Sequence, residues 1–215
     1  MTVTISRLYN DYSSASQAVS DLEAAGLKPA NISIVASNAD NWYGRDRGRK
    51  MDRVDRDHDG TDDRVEGAET GAGIGAAIGG TAGLLAGLGI MAIPGIGPVV
   101  AAGWLAALAA GAVAGGAAGG IIGALTQAGV SKEEAHLYAE GVRRGGTLVT
   151  ARVADGERTR YETILDRSAV NIRERGEAYR KAGWSGFDEK APPYSAEQAR
   201  KEREIYGSAG MGRPL

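Results

Sequence analysis

The feature that most restricts the fold is a spacing: between Gly67 and Gly123, glycine returns at every fourth position along two successive segments. The first carries Gly67, Gly71, Gly75, Gly79, Gly83 and Gly87; the second carries Gly103, Gly111, Gly115, Gly119 and Gly123, with Ala107 in the gap. Glycine in a water-exposed helix costs about 1 kcal/mol relative to alanine, so such a register calls for close packing of main chains. Residues four apart share a helix face, and small residues there form a flat groove of the kind that joins helices in lipid. A repeat of four overshoots the roughly 3.6 residues of a helical turn, so the groove drifts and suits a crossing partner. Ile93-Pro94-Gly95-Ile96-Gly97-Pro98 separates the two segments with residues that end one helix and open another. The pattern predicts an antiparallel glycine-zipper hairpin over residues 67–130. Its packing and oligomerisation face is Gly71, Gly75, Gly79, Gly83, Gly87, Gly103, Ala107, Gly111, Gly115, Gly119 and Gly123.

No charged side chain lies between Glu69 and Lys132. As helices, Thr70 to Ile93 and Pro98 to Ala128 would run roughly 36 Å and 46 Å, against a bilayer core of about 30 Å. Glycine and alanine supply little transfer energy, however, so insertion would have to be cooperative. Two placements follow: a hairpin in the lipid bilayer, or a soluble hairpin bundled inside a homo-oligomer. Arg45, Arg47, Arg49, Lys50, Arg53, Arg64, Lys132, Arg143 and Arg144 flank the base, which by the positive-inside rule holds the remaining domain in the cytoplasm. Met1 to Arg7 has no apolar signal region, and the chain has no cysteine. The expected location is therefore the cytoplasmic membrane with the folded domain in the cytoplasm, or else the cytoplasm itself. A net charge of −2 gives no electrostatic reason to bind nucleic acid.

Outside the insert, the patterns alternate between strand and helix. Val3 and Ile5 alternate with Thr2, Thr4 and Ser6 as in a half-buried strand. Ser14 with Gln17 reads as a capping box for a helix through Ala18, Val19 and Leu22 that stops at Gly26, and Ile32, Ile34 and Ala36 give a second strand. Residues 131–175 repeat the theme, with a helix from the Ser131-Lys132-Glu133-Glu134 box, a strand over Thr147 to Val153, a helix from Asp155 to Arg167 and a short fourth strand at Ala169 to Ile172. The expected class is α+β: a ferredoxin-like split βαβ sheet, with residues 1–37 and 131–175 as its halves and the helical hairpin grafted between them. Residues 176–215 read as a charged extension with a helix near 195–206, capped by Ser195 and Gln198.

The linker, residues 38–66, holds the sharpest chemical motif. Asp55, Asp57, Asp59, Gly60 and Glu66 match a D-x-D-x-D-G-x5-E calcium loop. Carboxylates at Asp55, Asp57, Asp59 and Asp63, the Thr61 carbonyl and a bidentate Glu66 would supply the oxygen shell of a Ca²⁺ ion. Asp62 stands where an EF-hand keeps an apolar residue, and no apolar helical face flanks the loop. The alternatives are a lone calcium loop and a solvated tether of alternating charge. No nucleophile elbow, zincin or P-loop signature is present, and His58 and His136 are the only histidines. Neither a catalytic group nor a small-molecule substrate is expected.

Val3 to Ser37, the glycine-rich insert and the run Ser131 to Ile172, with Gly-Val-Arg-Arg-Gly-Gly-Thr-Leu-Val at Gly141 to Val149, resemble the bacterial YflT-type general stress protein domain in its glycine-zipper form. Ala178 to Trp184 is similar to the stretch that follows such domains. The resemblance implies an α+β domain beside a hydrophobic helical pair, an association with stress response, and no enzymatic activity. The expected function is a non-enzymatic membrane protein that homo-oligomerises through its hairpin, with a soluble scaffold or a calcium-responsive switch as alternatives.

Overall fold

Alternating side chains at the N-terminus produce strand β1 (Thr2–Tyr9), which sends Ile5 and Tyr9 to one face of a sheet and Leu8 to the other. The computed structural model describes residues 1–43, 84, 88–114 and 120–209. Over these residues the chain is an α+β protein with a five-stranded antiparallel sheet and seven helices. After β1 come α1 (Tyr12–Ala24), β2 (Ile32–Ser37), β3 (Gly89–Ile93), β4 (Gly97–Gly103), α2 (Trp104–Ala114), α3 (Gly120–Gln127), α4 (Lys132–Arg143), β5 (Thr147–Ala154), α5 (Arg158–Leu165), α6 (Ile172–Lys181) and α7 (Ala196–Ala209). The strand order is β1-β5-β2-β4-β3. Strand β5 runs between β1 and β2, the two strands that α1 connects.

Two apolar layers follow from the alternation. On one face Ile5, Val19, Leu22, Ile34, Val149 and Leu165 join α1 and α5 to the sheet. On the other, Leu8, Val35, Leu105, Leu125, Tyr138 and Leu148 gather α2, α3 and α4. Burial of each such side chain contributes about 1.5–3 kcal/mol.

The expected helical hairpin is corrected at its described end. Residues 89–93 and 97–103 are strands joined by a turn at 94–96, and neither belongs to a helix. Two physical causes combine. Strand β2 is buried along its whole length and would otherwise end the sheet with an unpaired ladder, so β4 pairs with it from Ser37↔Val99 to Ser33↔Gly103. The second cause is local: Ile90, Ile93, Val99 and Val100 suit a pleated surface, while Gly95 at φ +72° and Gly97 at φ +94° make the turn. Helix α2 begins only at Trp104 and, at 1.5 Å per residue, is about 16 Å long. No helix among the described residues is long and apolar enough to cross a membrane. Residues 67–83 and 85–87, the rest of the first arm, lie outside the described residues.

Three smaller expectations also change. Helix α1 starts at Tyr12 because the Asp11 carboxylate accepts the Ser14 N–H at 2.8 Å, which pre-empts the Ser14–Gln17 box. The fourth strand at Ala169 to Ile172 does not form; only the Val170 N–H reaches the Leu8 carbonyl, at 2.7 Å. Asn171 ends that approach by capping α6, a helix absent from the sequence reading, through the N–H groups of Arg173 and Glu174. The Ser195–Gln198 box forms as expected, and Ser131 caps α4 by accepting the Glu134 N–H while its hydroxyl donates to the Glu134 carboxylate.

Candidate functional site

Of the expected packing face, Gly103, Ala107, Gly111 and Gly123 are placed by the structure. Gly71, Gly75, Gly79, Gly83, Gly87, Gly115 and Gly119 lie outside the described residues, as does the calcium-loop set Asp55, Asp57, Asp59, Thr61, Asp63 and Glu66. Gly103 is not a helix notch. It closes β4 at φ +90°, and a Cβ there would lie 2.2 Å from the Ile32 carbonyl oxygen and 2.7 Å from Ser33 Cα. Its role is the close approach of β4 to β2.

Gly111 and Gly123 behave oppositely. Ala107 and Gly111 are exposed on α2, Gly123 is exposed on α3, and no described atom beyond the surrounding helix turns lies within 4 Å of a Cβ built on either glycine. Leu105 and Ala109, on the other side of α2, are fully buried. The described members of the expected face on α2 and α3 thus lie outward, while Ala106, Ala109, Gly120 and Ala124 are small residues that these helices bury.

The densest polar constellation is one that sequence reasoning missed. Glu140, on α4, is completely buried; the Nε of Arg144 donates to it at 2.6 Å, and Nη1 of Arg143 lies 3.5 Å away. The i+3 and i+4 spacing makes these contacts local. Arg144 then reaches Glu202 of α7 at 3.2 Å, and its guanidinium stacks 4.2 Å from the Tyr179 ring centroid. Arg203 donates to the Gly145 carbonyl and, at 2.8 Å, to Asp40. Arg175 lies 3.9 Å from the Tyr206 ring centroid, and the Asn10 side chain donates to the Tyr206 carbonyl. Burial opposes the charge on Arg144, but its hydrogen bond to Glu140 and the charges of Glu140 and Glu202 hold its pKa above the ordinary value. Burial pushes the Tyr179 phenol up to about 12. In the sequence Arg143 and Arg144 stand out only as cations flanking the base of the insert. Their spacing from Glu140 was visible in the sequence, whereas Glu202 and Arg203 are far away along it.

Upstream of α7, the tail crosses the β3–β4 turn. A Cβ on Gly95 would lie 2.7 Å from Glu189 Cα, and one on Gly97 would lie 2.6 Å from Pro193 Cβ. Phe187 packs against the second apolar layer, and Trp184 meets Tyr179 edge-on. The C-terminal extension therefore contacts both Asp40, ahead of the glycine-rich insert, and the β3–β4 turn within it. Among the described residues, no group of three or more His, Cys, Asp or Glu side chains is placed to hold a metal ion.

Compared with protein-family models, with curated proteins and with solved structures, the chain gives no match in any of the three.

Proposed function

We propose that this chain is a non-enzymatic scaffold that self-associates through the small-residue surface of α2 and α3. The observation that carries this reading is the position of Gly111 and Gly123, inside helices with no described neighbour beyond the surrounding helix turns within 4 Å of a Cβ. A glycine there weakens its helix by about 1 kcal/mol, and nothing in the described fold requires it. Close approach of another main chain, from a second copy's glycine-rich segment, supplies the requirement. The resemblance to the YflT-type general stress protein domain supports a stress-associated setting. The β1-β5-β2 arrangement with α1 supports reading the core as a ferredoxin-like sheet whose outer strand is not among the described elements.

The stretch without charge from Thr70 to Ser131 favours a second reading, in which the assembly seats its insert in a bilayer. The β3–β4 hairpin shortens the segment left for insertion, so we place the soluble scaffold first. The test combines light scattering after size exclusion with vesicle flotation, for the full chain and for Gly111→Leu and Gly123→Leu. The expected result is an oligomer without detergent in the native chain and a smaller species in the variants, with no fall in melting temperature. An oligomer unchanged by both substitutions would refute glycine-face association, and flotation of the native chain with vesicles would replace the soluble scaffold by the membrane form.

A further inference from the structure

Strand β1 ends the sheet, and no described strand pairs with its outer edge. Within a strand, the N–H and C=O of one residue point to the same side, and successive residues alternate. The Met1 carbonyl accepts from Asp155, next to β5, while the carbonyls of Ser6 and Leu8 accept from groups outside the sheet. The even-numbered residues Thr2, Thr4, Ser6 and Leu8 therefore present their main chain outward. Leu8 is taken by Val170, and the Ser6 carbonyl by the Tyr138 hydroxyl at 2.7 Å and by Arg7 at 2.9 Å. Among the described residues, the outward N–H and C=O of Thr2 and Thr4 and the N–H of Ser6 have no main-chain partner.

This outer edge is the floor of a recess of about 380 Å³. Ala128, Gly129 and Val130, with Glu134 and Tyr138, line one side, and Arg158 and Glu162 line the other. Ser6 lines the recess and is 95% buried, and its Oγ has no hydrogen-bond partner among the described residues. Of the charges around the recess, the Glu134 carboxylate accepts from the Ser131 hydroxyl at 2.9 Å, and the others are paired. Arg158 binds Glu162 at 2.9 Å, and Arg7 binds Asp166. Recognition here thus falls to main-chain hydrogen bonds and shape.

We propose that this recess is a docking site for an extended peptide segment, which adds to β1 as a sixth strand in the place where Ala169 to Ile172 fails to form one. Thr2 to Ser6 offers four strand steps, roughly 13 Å at about 3.3 Å each. The occupant is four or five residues, β-branched or small, uncharged and free of proline, as main-chain recognition at a sheet edge requires. A single segment fits where another folded copy does not, because the β1 of a second copy lies on the floor of its own recess.

The full chain is titrated with an acetylated, amidated peptide copying Thr2–Ser6, while amide exchange is followed by NMR. Binding is expected to slow exchange at Thr4 and Ser6, with little change at the internally paired Val3 and Ile5. Thr4→Pro removes only an outward N–H, so it is expected to leave the melting temperature within a few degrees and to weaken peptide binding about tenfold or more. Should Thr4→Pro fail to fold, Ala128→Trp, which fills the recess from its half-exposed rim, is expected to abolish binding instead. No slowing at Thr4 and Ser6 at millimolar peptide, or equal binding by the folded variants, would overturn the proposal. A dimer of the native chain that dissociates on Thr4→Pro would also overturn it, by making a second copy the occupant.

Discussion

Gly103 and Gly111 belong to one four-residue register in the sequence, yet alanine substitution is expected to move stability in opposite directions at the two sites. At Gly103 the φ of +90° is left-handed, and a side chain there costs about 1–2 kcal/mol before any contact is made. The added Cβ would also lie 2.2 Å from the Ile32 carbonyl oxygen and 2.7 Å from Ser33 Cα. Backbone cannot swing aside as a side-chain end can, so parting β4 from β2 adds about 1–3 kcal/mol. The total, about 2–5 kcal/mol, is a large part of the 5–15 kcal/mol typical of a folded domain. At Gly111 the new methyl meets no described atom beyond the surrounding helix turns, and the helix gains about 0.5–1 kcal/mol. Urea unfolding followed by circular dichroism, at a protein concentration where the chain is monomeric, separates the two cases. The midpoint should fall steeply for Gly103→Ala and hold or rise for Gly111→Ala, with the slope unchanged. If Gly103→Ala were neutral, the strand assignment of residues 97–103 would be refuted; a steep fall for Gly111→Ala would refute the open face of α2.

Two further outcomes follow. Glu140→Gln leaves Arg144 without its closest carboxylate in a site where Glu140 is fully buried. A loss of about 3 kcal/mol is expected, measured by thermal unfolding, and it should be smaller in an Arg144→Met background because the two groups act as a pair. Alkaline pH is also expected to destabilise the fold. Burial raises the Tyr138 and Tyr179 phenols from 10.0 to about 12 and raises Tyr9 further. Each is then protonated in the folded chain where the unfolded chain is ionised. Their contribution is complete below pH 10 and is lost as pH rises towards 12, at about 1.4 kcal/mol per pH unit for each tyrosine. Unfolding free energies between pH 9 and about 11.5 check this, and Tyr138→Phe should flatten the slope.

What the sequence determined by itself was local. Alternation at Thr2 to Ser6 and at Ile32 to Ala36 specified strands, and the Ser131 and Ser195 boxes marked helix starts, because each signal sits within a few residues of the structure it causes. The i+3 and i+4 acids and bases of α4 were readable for the same reason. Tertiary structure decided what those signals were for. The glycine register from Gly103 to Gly123 is the same spacing throughout, but the buried edge of β2 recruited residues 97–103 as a strand and left Gly111 and Gly123 outside on helices. Hydrogen bonding of a buried sheet edge outweighs a periodicity that promises only close packing. Likewise, Val170 gives a single bond to Leu8 before Asn171 turns the chain into α6, and Arg144 finds Glu202 only after the fold has brought α7 across α4. Those choices depend on which partner is within reach, and reach is set by the folded chain rather than by spacing along it.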